Sequence, residues 1–79
     1  MEINIDNIKA IFRSEVDPSV DIESLKPDED FKDYGVDSLD RSSVFLEIED
    51  EFDVTISDKD IDELRTLNKI ENYLKKKKS

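Results

Sequence analysis

Apolar residues recur at helical rather than alternating spacing along most of this chain. At about 100° per residue, Ile5, Ile8, Phe12 and Val16 share one face, with Ile11 at its flank, and predict a first helix. Asp17-Pro18 closes it, because the residue before a proline avoids the helical region. Residues 17–36 predict a long loop with one helical turn after Pro27, pinned to the core by Phe31, Tyr34 and Val36. Gly35 supplies a backbone kink just before the next helix. A second helix is predicted from about Ser38 to Phe52. A short third follows Ser57, where Ser57-Asp58-Lys59-Asp60 has the look of a capping box and Ile61 and Leu64 supply the apolar face. The fourth begins near Thr66 and buries Leu67, Ile70 and Leu74, with Tyr73 beside them. Val54-Thr55-Ile56 alternates but is too short to be a partnered strand. The expected fold class is all-α: a small four-helix bundle with three longer helices, one short helix and a long first loop.

The second helix has two apolar faces. Val44, Ile48 and Phe52 recur every fourth residue, with Phe45 at the edge, and are expected to face the interior. Leu39 and Leu46 lie on one line together, and Leu39 to Ile48 is about 900° of turn, which puts the pairs on opposite sides. A bundle helix normally buries one stripe, so the leucine pair is expected to face water. Asp40, Glu47 and Asp50 lie around it. Residues 37–63 hold 11 acidic side chains against Arg41 and Lys59, a net −9. Leucines in an acidic field have the composition of a docking surface: charge steers a basic partner, and the leucines supply desolvation energy on contact.

Composition narrows the chemistry. The chain has 79 residues, enough for one domain, with 12 basic and 22 acidic side chains and a net charge of −10. At 35% hydrophobic the core is small, with an expected net stability on the order of 4–12 kcal/mol. There is no cysteine and no histidine, which excludes disulfides, thiolate chemistry, Ser-His nucleophile pairs and His-bearing metal sites. Four of the 12 basic residues are Lys75, Lys76, Lys77 and Lys78, so residues 1–74 carry −14. That body repels nucleic acid, whose binding needs Lys and Arg to neutralise phosphates. No apolar run approaches the ~20 residues that cross a bilayer, and Met1-Glu2-Ile3-Asn4 lacks the start of a secretory signal. The expectation is a cytoplasmic monomer without stable membrane insertion.

The stretch Asp33-Tyr34-Gly35-Val36-Asp37-Ser38-Leu39-Asp40 resembles the phosphopantetheine attachment motif of acyl carrier proteins. The likeness continues through Glu49-Asp50-Glu51-Phe52-Asp53, across Ile56, Asp58 and Asp60, to Thr66-Leu67. It runs from residue 31 to 74 without insertion or deletion, and the first helix and loop match in pattern and length. It implies a carrier domain over 1–74, followed by a basic tail over 75–79, and a protein that is not itself an enzyme.

By this resemblance Ser38 carries a covalent 4′-phosphopantetheine arm whose terminal thiol holds acyl groups as thioesters. A chain without Cys imports its reactive sulfur in this way. Ser38 needs no activating base of its own, because a phosphopantetheinyl transferase supplies catalysis and coenzyme A. At a helix start the arm's phosphate lies beside unsatisfied N–H groups. The plain alternative makes Ser38 an N-cap, worth about 1 kcal/mol. The family likeness also implies that Asp37 and Asp40 meet the transferase. Leu39, Leu46, Glu47, Glu49 and Asp50 then meet acyl-processing enzymes with basic docking patches, such as a ketosynthase, acyltransferase or acyl ligase. Phe45, Ile48, Ile56, Ile61 and Leu64, ordinary core in any case, are the implied shelter for an acyl chain.

Two positions depart from fatty-acid carriers: Ser43 stands where an acid is common, and Arg41 where a small neutral residue is usual. Both lower the acidity of the upper docking helix and point to a dedicated pathway. Gly35-Val36-Asp37 fits the fatty-acid and polyketide branch better than peptidyl carriers. The rival readings are an acidic interaction module without an arm and a peptidyl or aryl carrier. A calcium loop fails on spacing, since the sixth position is Asp33 counted from Asp28 and Glu63 counted from Asp58, where glycine is needed. The lysines suit a helix C-terminus, whose carbonyls favour positive charge; contact with anionic lipid or a partner is the alternative.

Overall fold

The computed structural model describes residues 2–78; Met1 and the last residue of the predicted tail, Ser79, lie outside the described residues. The first helix, α1, spans Ile5–Glu15. Asn4 starts it from an extended backbone, its Oδ1 accepting the N–H of Asn7 at 2.8 Å. It ends where Val16 turns extended, one residue before the pre-proline position. Ile8, Ile11, Phe12 and Val16 are buried, while Ile5 is only half-buried. α1 packs against both α2 (Ser38–Phe52) and α4 (Leu67–Lys78).

The long first connection is more ordered than its sequence suggests. It contains two 3-10 turns, Ile22–Ser24 and Phe31–Tyr34, the second matching the turn expected after Pro27. Phe31 and Val36 are buried and Tyr34 is half-buried, but Ile22 and Leu25 are buried as well, and the sequence pattern did not mark them. The Phe31 ring lies 5.2 Å from that of Phe12, centroid to centroid and tilted by 57°. Two backbone bonds fasten the connection to the far corner of the bundle: Phe31 N–H donates to the Arg65 carbonyl at 3.1 Å, and Asn68 N–H to the Pro27 carbonyl at 3.0 Å. The Cα radius of gyration of 11.3 Å agrees with the ~11.6 Å expected of a folded chain this long. The connection is therefore wound onto the body rather than looped away from it.

α2 ends at Asp53, in the left-handed region with φ 52°, which Asp tolerates better than most residues. α3, Asp58–Glu63, is a short helix capped by Ser57, whose Oγ accepts the Asp60 N–H at 3.2 Å. The acid of that predicted box also has a tertiary role: Asp60 accepts the Tyr73 hydroxyl at 2.7 Å, tying α3 to α4. Thr66 Oγ1 accepts the Lys69 N–H at 3.1 Å at the start of α4. α4 buries Leu67, Ile70 and Leu74 and runs on through the four lysines, which form its last turn. Among the described residues all regular structure is helical, as expected, with three longer helices and one short one.

Candidate functional site

The site begins at a turn that glycine makes possible. Gly35 takes φ +91° and closes the second 3-10 turn, its N–H donating to the Lys32 carbonyl at 3.1 Å. A Cβ there would meet only Val20 Cγ2 at 4.0 Å, so glycine is needed for its backbone conformation and not for space. Val36 then buries its side chain, and Asp37 adopts the extended geometry of a cap. Asp37 Oδ1 accepts the Asp40 N–H at 2.8 Å. The N-cap of α2 is therefore Asp37, which corrects the plain N-cap alternative for Ser38. Ser38 is the first residue inside the helix, and it is exposed.

Beside Ser38 lies a groove of about 540 Å³. Lys32 and Arg65 reach it from the turn and from the corner after α3, and Arg41 reaches it from α2 itself. Sequence reasoning noticed Arg41 as a departure and as one of two bases in the acidic stretch, but gave it no place at the site, and missed the other two. Their separation along the chain hides the cluster, and no local pattern marks it.

The remainder of α2 divides as its periodicity requires. Val44, Phe45, Ile48 and Phe52 are buried, while Leu39 is 79% and Leu46 is 68% exposed. Exposure this large in two leucines on one line makes the second apolar stripe real. Asp50 on this helix is exposed, and Asp40 and Glu47 are half-buried. Partial desolvation raises the pKa of Glu47, helped by a hydrogen bond with Glu51 and repulsion from Glu15, Glu51 and Asp50. Asp40 Oδ2 reaches the Asp17 N–H at 3.4 Å, and Glu49 Oε2 accepts the Ile56 N–H at 3.0 Å. Glu49 thus helps shape the loop into α3. Phe45, Ile48, Ile56 and Leu64 are core, with Ile61 half-buried at their edge.

Residues 6–74 match the family model described as "Phosphopantetheine attachment site". The chain belongs to the acyl carrier protein family. It is 39% identical over 71 residues to the mitochondrial acyl carrier protein of Saccharomyces cerevisiae, a match covering 89% of this chain and 55% of that protein. It is 39% identical over 59 residues to the acyl carrier proteins of Chlorobium phaeobacteroides and Chlorobium luteolum, covering 73% of this chain and 76% of theirs. The chain thus spans little more than half the length of the yeast relative and about three-quarters of the bacterial ones. The family's prosthetic group is a covalently attached 4′-phosphopantetheine, and its members are carriers rather than enzymes. No described helix of this carrier is long and apolar enough to cross a membrane.

The donor set around Ser38 fits such a group. An exposed primary hydroxyl is available for a phosphodiester, the adjoining groove brings cations to an otherwise acidic surface, and the hydroxyl has no capping duty.

Proposed function

We propose that Ser38 is the attachment point of the arm and that the carrier presents acyl thioesters to enzymes docking on the exposed face of α2. The observation carrying this proposal is the exposed hydroxyl at the first position of α2, with the cap supplied by its neighbour Asp37. In the attachment step the Ser38 oxygen bonds to the β-phosphorus of coenzyme A. The P–O bond to 3′,5′-ADP breaks, and the hydroxyl proton passes to a base of the transferase. Once bound, the group supplies the thiol on which acyl groups are carried.

This chain's own residues orient and recruit. The Asp37 cap fixes the first turn of α2, so Ser38 projects from a rigid element. The acids on α2 attract basic patches of the transferase and the acyl-processing enzymes, and Leu39 and Leu46 supply apolar contact. Phe45, Ile48, Ile56 and Leu64, all buried, with Ile61 half-buried at their edge, are the proposed shelter for apolar cargo, which would have to part them to enter. Gly35-Val36-Asp37 supports a fatty-acid or polyketide cargo. Arg41 and Ser43, by thinning the acids near the attachment end, support a dedicated pathway.

Co-expression with a phosphopantetheinyl transferase followed by intact-mass spectrometry tests the proposal. The wild type gains the mass of one arm and Ser38→Ala gains none. An unmodified wild type would favour the armless interaction module.

A further inference from the structure

Eight basic residues precede the lysine run, and three of them, Lys32, Arg41 and Arg65, line the groove beside Ser38. In a body of net charge −14 this concentration is the reverse of the surrounding surface. The acids that share the groove are turned to backbone work: Asp30 Oδ1 accepts the Lys32 N–H at 2.9 Å, and Asp37 Oδ1 accepts the Asp40 N–H at 2.8 Å. Counting those two acids, the lining is still net positive.

The two arginines are held in place by a single residue. Asp62 Oδ1 stands 3.4 Å from a terminal nitrogen of Arg41, and the Asp62 carbonyl accepts the Nε–H of Arg65 at 3.2 Å. A guanidinium has five N–H donors, so one contact each fixes the positions of Arg41 and Arg65 without exhausting their capacity for an anion. Arg41 is three residues after Ser38, which makes the two neighbours on the helix surface at about 5–6 Å between Cβ atoms. It lies two residues from Leu39, about 200° around α2, and so on the side away from the leucine stripe.

We infer that Lys32, Arg41 and Arg65 form a cationic seat for the phosphodiester of an arm on Ser38, an inference that rests on the attachment proposed above. The phosphodiester is the one fixed anion of the arm, and bidentate guanidinium recognition suits its oxygens. The seat turns the base of the arm toward the interior-facing side of α2 and away from the face on which partners dock. Salt loosens the seat because it is open to solvent.

The test uses the full chain converted to its arm-bearing form, with intact mass as the check on conversion. In 31P NMR the phosphodiester signal of the folded wild type should be displaced from its position in the same protein unfolded in urea. The triple variant Lys32→Gln, Arg41→Gln, Arg65→Gln should return it most of the way, whereas Lys69→Gln on α4 should leave it unmoved. Independently, the Nε–H cross-peaks of Arg41 and Arg65 in the wild type should shift between the arm-free and arm-bearing forms. This second comparison needs no variant to fold. A converted wild type with a 31P signal at its unfolded position and unmoved arginine cross-peaks would overturn the seat and leave the attachment intact. A wild type that gains no arm would overturn both.

Discussion

Asp37 caps α2 by accepting the Asp40 N–H at 2.8 Å, and so leaves Ser38 as the first residue within the helix. Structural duty and the proposed chemical duty therefore fall on adjacent residues. Replacing Asp37 by Ala removes the cap and should cost about 1 kcal/mol, read as a fall in Tm of about 4–8 °C for a domain this small. Ser38→Ala is exposed and outside the cap, so its stability should stay within about 0.5 kcal/mol of wild type. Thermal melts of the two variants, side by side, check the assignment. A loss at Ser38→Ala larger than that at Asp37→Ala would contradict it.

The leucine stripe and the core stripe of α2 should separate cleanly by mutation. Leu39→Ala and Leu46→Ala remove exposed side chains and should leave Tm nearly unchanged while weakening binding to a docking enzyme. Ile48→Ala, fully buried, should cost about 2–5 kcal/mol. Calorimetric melts and a binding titration against an acyl-processing enzyme such as a ketosynthase read the two effects separately.

The helical part of this architecture was legible because period 3.6 is a local signal. α1, α2 and α4 appear with their buried faces as Ile8, Phe12, Val44, Ile48, Leu67, Ile70 and Leu74 imply. Ile22 and Leu25 were not legible. Single apolar residues in a loop carry no period, and what buries them is a connection fastened through distant bonds to Arg65 and Asn68. The cap was misplaced for a different reason: the sequence reading offered only Ser38, whereas the adjacent Asp37 suits the role as well and only backbone geometry separates them. The cations of the groove come from three separate segments and meet only in the fold.

Tyrosine ionisation offers a pH test. Burial, reinforced by the hydrogen bond to Asp60, raises the Tyr73 pKa from 10.0 to about 12. The hydrogen bond to Glu29 raises that of Tyr34. A folded-state value above the unfolded one means the folded chain holds its proton longer. The associated stability is whole below pH 10 and is lost as pH rises toward about 12. Ultraviolet titration should show Tyr73 ionising near that upper value, and Asp60→Asn should lower it. An Asp60→Asn curve identical to wild type would contradict the coupling between α3 and α4.

The crowded acids should make stability depend on salt. Screening by salt or millimolar divalent cations should raise Tm. Glu47, whose pKa is raised mainly by desolvation and then by its acidic neighbours, is a local probe. Its charged form disfavours folding, so its contribution improves as pH falls through its raised folded-state value toward the ordinary carboxylate range. Glu47→Gln should therefore raise Tm at low ionic strength, with less gain at about 1 M salt, where the Debye length is ~3 Å. A melting temperature indifferent to ionic strength would contradict the acidic field.

The attachment itself is tested most directly at peptide level. Trypsin cutting after Lys32 and Arg41 releases residues 33–41, in which Ser38 is the single serine. After co-expression with a phosphopantetheinyl transferase, tandem mass spectrometry should find one arm on this peptide, with fragment ions placing it at Ser38. An arm at Ser42 or Ser43, or a peptide that stays unmodified under conditions that load another carrier, would contradict the account.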